Sequence, residues 1–456
     1  MTQTFLLGNG IVVGSFAFSG PVLPAVIPDG GVVWRGERIV AVGPLAELRR
    51  EFGNAHFVDA RGGLIVPGLI NLHHHFYSAL ARGLDPGTPI CNFAEILDRL
   101  WWRLDRALDA DAVRLSALLS AADCIRWGCT TVFDHHASPS CLAGSLDIIM
   151  ETLAAHGLSA VLCYEVSDRN GHAEARAGIE ENLRFLGQQR GHARIRGVFG
   201  LHASFTLRDE TLEEVAKRRP EGSGCHIHVA EDPVDVEASR RAFGAGPVER
   251  LERFGLLDSH SLLAHGIHLR TEDYTRIGRR NGVVIHNPES NANNGVGRLD
   301  VAKAAKQGCL VGLGTDGMNS AMLRALRAAH LTQRAAASSP DETLPDLLAN
   351  NASVARRFFD EPLLGELSPG APADIVVIDA PAPTPIASEN LAGHLIYGAS
   401  EAPVRHMIAR GRILLEDFVH ATLDLRELAA RARELSPALW ERFRGLKWGT
   451  SFLGQT

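Results

Sequence analysis

Between Val66 and about residue 360 the chain alternates eight apolar runs with amphipathic segments: VPGLINLHHH, CTTVFDHH, SAVLCYEV, IRGVFGLHAS, GCHIHVAE, HSLLAHGIHL, GVVIHNPE and LVGLGTD. Near-continuous apolar runs of strand length are what strands covered on both faces require. Helical stretches such as GSLDIIMETLAAHG, ETLEEVAKRRPEG and VERLERFG separate the runs. A strand-then-helix unit repeated eight times predicts an α/β chain built on a closed parallel (β/α)8 barrel of the TIM type. The 456 residues accommodate a barrel of about 250 residues and an accessory domain besides.

The flanks have a different texture. Phe5 to Leu64 reads as short β runs with turns (GIVVGSF, GGVVWRGERIVAVG, HFVDARGGLIV), and the same texture returns from Gly365 in PGAPADIVVIDA and VRHMIARGRILLEDF, before a helical tail from Asp424 to Leu446. The expected division is a barrel over residues 66–364 and one small, sandwich-like β domain assembled from residues 1–65 and 365–456, tail included. The stretch Phe5 to Ile27 carries no charge, but Gly8, Gly10, Gly14, Gly20, Pro21 and Pro24 interrupt it and no basic segment precedes it. It therefore reads as short strands, and neither a membrane span nor a secretory signal is expected. A net charge of -7 with no Lys/Arg cluster gives no footprint for nucleic acid. The seven cysteines are scattered and never spaced CxxC, so reduced thiols and a cytoplasmic setting are expected rather than a disulfide framework or a cysteine zinc site.

The polar residues that interrupt the runs carry the chemistry. Alternate residues of a strand face the same way, so His73 and His75 at the end of the first run point into the barrel mouth together, while His74 points away. Later run ends supply His202 (fourth), His228 with Glu231 three residues on (fifth), His265 (sixth) and Asp316 (eighth). All fall at C-terminal strand ends, where barrel active sites lie. Three neutral imidazoles and a carboxylate suit one borderline-soft divalent ion with a position open for water: zinc is the first expectation, and iron or manganese fits the same ligands. His226 shares a face with His228 but sits deeper, and the Glu231 step favours His228 as the ligand. For Asp134, His135 and His136 a structural role is as good a reading as a functional one, and Trp101, Trp102, Phe76 and Phe205 suit a core as readily as a stacking surface for a flat heterocycle.

These residues resemble the amidohydrolase superfamily in its deaminase and chlorohydrolase branch, through PGLINLHHH (67–75), LHASFT (201–206), HIHVAED (226–232), LLAHGIHL (262–269), HNPESN (286–291) and LGTDG (313–317). Within it the chain is most similar to the SsnA-type aminohydrolases, through HFYSALARGL (75–84), LWWRLDRALD (100–109), GCTTVFDHHASP (128–139) and NANN (291–294). The resemblance covers nearly the whole chain. It implies that His73, His75, His228 and Asp316 hold the metal, that Glu231 shuttles protons, that His265 orients the attacking water and that His202 touches substrate. His74 between the paired histidines and Ser204 after His202-Ala203 depart from the usual pattern without disturbing that set.

Two-metal members of the superfamily commonly use a bridging lysine, but the only lysine between Phe76 and Ile227 is Lys217, inside a charged helical run. One metal is therefore expected, with a bridging carboxylate such as Glu165 as the alternative. The reaction implied is replacement of an exocyclic amino group on a heterocyclic, purine-like small molecule by oxygen through metal-bound hydroxide. Expulsion of chloride or opening of a cyclic amide by the same shell is the alternative chemistry, and a silent binding barrel is the alternative class. A homodimer is the base-rate expectation for assembly.

Overall fold

The computed structural model describes residues 3–18, 23–189, 192–336 and 346–448. Seven of the eight runs form single barrel strands: Leu69–His74, Cys129–His136, Ser159–Tyr164, Cys225–Val229, Leu262–His265, Val283–His286 and Leu310–Leu313. The fourth run is divided. Ile195–Gly197 pairs with the third strand and Phe199–Ala203 with the fifth, so the parallel strands lie in two arcs. Single-residue bridges, Val166 to Leu201 and His74 to Asp316, join the arcs at both seams. Backbone bonds from Val166 N to Gly200 O (3.2 Å) and from Thr315 N and Asp316 N to His73 O (3.0 and 2.9 Å) reinforce these joins.

Close approach at the seams depends on missing side chains. A Cβ on Gly200 would lie 2.2 Å from the Tyr164 carbonyl oxygen, and one on Gly314 would lie 2.4 Å from Asn287 Oδ1 and 2.9 Å from His73 Cβ. Gly314 thus lets the chain leaving the eighth strand fold directly over His73 and carry Asp316 into the mouth. Below the mouth, Ile70, Leu72, Phe133, Val161, Leu262 and Ile285 fill the barrel, and the helix Asp346–Phe359 covers the strands with Val354, Ala355 and Phe359.

The two chain ends meet in one nine-stranded sheet, where Leu64–Pro67 pairs antiparallel with Ile375–Ile378. Its residues from both ends, including Leu7, Val32, Trp34, Ile65, Val377 and Ile408, bury one core of their own. Thr4–Val13 and Val26–Arg35 are strands on either side of the interrupted apolar stretch, of which residues 19–22 lie outside the described residues. Among the described residues no helix is long and apolar enough to cross a membrane.

The C-terminal helix, Leu425–Gly445, begins where the Asp424 carboxylate accepts from Arg426 N and Glu427 N. It leaves the sheet and lies against the barrel-side segment Trp102–Ala107. There Trp440 Nε1 donates to Leu80 O (3.1 Å), Arg103 Nη2 donates to Phe443 O (3.1 Å), and the Arg103 guanidinium stacks 4.0 Å over the Phe443 ring.

Asn351 ties the first and eighth strands from the helix side: Nδ2 donates to Ile70 O (2.7 Å) and Leu313 O (2.8 Å), and Oδ1 accepts from Leu313 N (2.8 Å). Asn351→Ala leaves these buried backbone groups unpaired and should cost about 2–4 kcal/mol, read as a lower denaturant midpoint in chemical unfolding. An unchanged midpoint would show that the seam holds without it.

Candidate metal centre and the pocket above it

Imidazole nitrogens of His73, His75 and His228 and an oxygen of Asp316 lie within 4.8 Å of one another at the C-terminal end of the barrel. Asp316 Oδ1 is 3.1 Å from His75 Nε2 and 3.5 Å from His73 Nε2, and His75 Nε2 is 3.1 Å from His228 Nε2. The far nitrogen of each ring is already engaged. His75 Nδ1 donates to His135 O (2.6 Å), His228 Nδ1 donates to His202 O (2.9 Å), and His73 Nδ1 meets His226 Nε2 at 2.8 Å. With the proton of each ring on Nδ1, three Nε2 lone pairs converge on one carboxylate, and His73 Nε2 is buried without a hydrogen-bond partner. This is the donor set of a tetrahedral or five-coordinate divalent site, and the residues fit such an ion.

The electrostatics agree. Burial holds His73 and His228 well below the usual imidazole range, as neutral ligands must be. Burial also works against charge on His75, but the Asp316 carboxylate outweighs it and raises this ring to about 9. A field that favours a proton between His75 and Asp316 favours a cation there for the same reason. Burial alone would raise Asp316, yet the His73 and His75 rings facing it hold it well below the carboxylate range.

Glu231, His265 and Asp316 form a second group within 4.8 Å, sharing Asp316 with the first. His265 Nε2 lies 3.4 Å from Glu231 Oε2 and 4.0 Å from Asp316 Oδ2, and its Nδ1 donates to Asn291 Oδ1 (2.8 Å). Burial, then repulsion from Asp316, raises Glu231 well above the carboxylate range. Ala230, His265 and Asp316 all have left-handed backbone, with φ of 49°, 74° and 54°. Such positions cost energy in non-glycine residues and cluster where a side chain must be aimed.

Supporting residues come from several directions. His74 points away from the mouth, as its register demands, and its Nδ1 donates to the backbone oxygen of Asp316 (2.6 Å). Asp134 Oδ1 accepts from Phe76 N (2.8 Å), His135 Nε2 stands 3.1 Å from Leu201 O and His226 O, and His136 Nε2 pairs with Ser138 Oγ. Sequence reasoning passed over the short helix Pro288–Asn294 as a source of site residues. From it Ser290 Oγ donates to Asp316 Oδ2 (2.5 Å), Asn291 holds His265, and Asn294 Nδ2 donates to Glu231 Oε1 (3.2 Å). Polar residues one and four apart on a short helix just past a barrel strand were the available signal.

Above these groups lies a pocket of about 820 Å³ including its open mouth, lined among others by His202, Glu165, Trp101, Trp102, Phe205 and Asp105. Trp101, Trp102 and Phe205 thus face the cavity, whereas Phe76 is fully buried beside His74. His202 Nδ1 pairs with Thr206 Oγ1 (2.6 Å), and burial lowers its ring to about 4, so it is neutral. Lys217 stands on the helix Asp209–Arg218, 75% exposed beside Glu213, away from the mouth.

The amidohydrolase family pattern matches residues 64–414, and an imidazolonepropionase-like bacterial composite-domain pattern matches residues 30–55. Similar proteins include a 5-methylthioadenosine/S-adenosylhomocysteine deaminase of Pelotomaculum thermopropionicum, 28% identical over 96% of this chain and 100% of its own length. Another of the same name, from Desulforudis audaxviator, is 30% identical over 90% of this chain and 97% of its own. The crystal structure of an adenosine deaminase from Xanthomonas campestris with bound zinc superposes with a TM-score of 0.83 at 23% identity, over 97% of this chain and 99% of that one.

His226 touches no substrate-facing surface, but it fixes the ring of His73. His226→Ala should lower zinc affinity about 10–100-fold with all four candidate ligands intact, measured by competition with a chelator. Unchanged affinity would mean that His73 needs no partner to aim it.

Proposed function

The chain belongs to the amidohydrolase family, and from that footing we propose that it is a mononuclear, zinc-dependent aminohydrolase that replaces the exocyclic amine of a purine-like heterocycle by oxygen. His73, His75, His228 and Asp316 would hold the ion. When bound, it brings the pKa of a coordinated water towards neutrality. Support for a single ion comes from the place of Lys217, far from the mouth.

The observation that carries deamination over its alternatives is the carboxyl of Glu231 set 3.4 Å from His265 Nε2 and within 4.8 Å of Asp316, where burial and the Asp316 charge favour its protonated form. An amine leaves an sp² carbon only once it has been protonated, whereas chloride needs no proton. Asp316 and His265 orient the attacking water from one side, with Ser290 and Asn291 fixing their side chains. Glu231, positioned by Asn294, gives its proton to the ring nitrogen next to the reacting carbon, takes one from the water and passes it to the departing nitrogen, so that ammonia leaves neutral, and regains its own proton from the new hydroxyl as the carbonyl forms. His202, neutral and backed by Thr206, offers its Nε2 edge to the ring. Relatives named as deaminases of adenine nucleosides support a purine-like ring as the reactant.

Ammonia release by zinc-loaded protein over a panel of aminated purines, pterins, pyrimidines and triazines tests the reading. The expected result is turnover confined to one ring class with about one zinc per chain. Glu231→Gln should keep its zinc and lose on the order of two to four decades of kcat. Full activity in that variant, or chloride release without ammonia release, would overturn the assignment.

A further inference from the structure

One buried ionic group in the pocket has no part in this mechanism. Glu165, just past the third barrel strand, is 5% exposed and faces the cavity within 4.8 Å of a His228 nitrogen. Its oxygens stand 3.4 Å from His135 Nδ1, 3.6 Å from Arg169 Nη2 and 3.9 Å from His202 Nε2. All three separations exceed a good N–H···O bond. Arg169 is bound more tightly elsewhere, its Nη2 donating to Asp105 Oδ2. His135 is turned to other acceptors, with Nε2 at two backbone carbonyls.

The wall therefore carries two carboxylates, Glu165 and Asp105, against one guanidinium. The neutral His202 adds no charge to the balance. Burial opposes the ionisation of Glu165, yet the His135 ring and the Arg169 guanidinium facing it keep it below the carboxylate range. An ionised carboxylate with no short hydrogen bond, at the edge of a site built for a flat ring, is poised to accept from the ligand.

We propose that Glu165 is a specificity-determining residue that accepts a hydrogen bond from an unalkylated ring N–H of the substrate. The substrate class is then an aminated heterocycle that keeps a ring N–H on the edge turned to Glu165, in preference to the same ring alkylated at that nitrogen. Arg169 and Asp105 hold the carboxylate in place and limit its net charge. This inference rests on the deaminase reading above.

The test pairs the best wild-type substrate of the ammonia panel with its analogues methylated singly at each ring nitrogen. Wild-type protein should favour the parent over one analogue by about 10- to 100-fold in kcat/KM, as a charge-assisted hydrogen bond gives. Glu165→Gln should lose that discrimination to within a few-fold, mainly through KM, with zinc content unchanged. Glu165→Asp, which keeps the charge, should retain discrimination and covers the case in which the amide variant fails to fold. Unaltered discrimination in Glu165→Gln, or loss of zinc from it, would overturn the proposal while leaving deamination standing. Silence of the wild-type protein across the panel would overturn both.

Discussion

The contact on which the rest depends is the Asp316 carboxylate against His73 and His75, across the seam where the eighth barrel strand meets the first. Nothing local to either strand creates it. The chain must close a barrel, thin the seam with Gly314, turn Asp316 into left-handed backbone at φ 54° and clamp its carbonyl with His74. Each of these steps costs conformational freedom or strain. The packed barrel below, tied at the same seam by Asn351, offsets that cost.

Charge then organises the mouth. Asp316 is held below the carboxylate range by the imidazoles facing it, and its charge in turn helps to raise Glu231. Two acidic residues sharing a basin of histidines are thereby pushed in opposite directions, Asp316 down and Glu231 up. The Pro288–Asn294 helix serves both carboxylates and His265 at once through Ser290, Asn294 and Asn291, so a single short element sets the angles of all three side chains. On the far side, the Trp102–Ala107 wall that carries Asp105 is braced from outside by the C-terminal helix through Arg103 and Phe443.

Much of this was legible in the sequence. The eight apolar runs fall on the barrel strands, and the register of one strand is enough to bring His73 and His75 to one side and send His74 to the other. The His228-to-Glu231 spacing separated the ligand candidate from His226, which lies deeper and meets His73. The division of the fourth run was not legible, since it lies in the pairing of Ile195–Gly197 and Phe199–Ala203 with different neighbouring strands. Nor were the pairings that finish the site. Asp105 and Arg169 lie 64 residues apart and His73 and His226 lie 153 apart, and only closure of the barrel brings them together. The packing of the helical tail on Trp102–Ala107 was not legible either, because Arg103, Phe443 and Trp440 form a contact that no periodicity encodes.

The central claim, that four side chains from three strand ends hold one ion, is tested most directly by anomalous X-ray scattering from crystals of the zinc-loaded protein, recorded on both sides of the zinc edge. One strong anomalous peak enclosed by His73, His75, His228 and Asp316 is expected. A peak elsewhere, or a second one against His135 and Glu165, would contradict it.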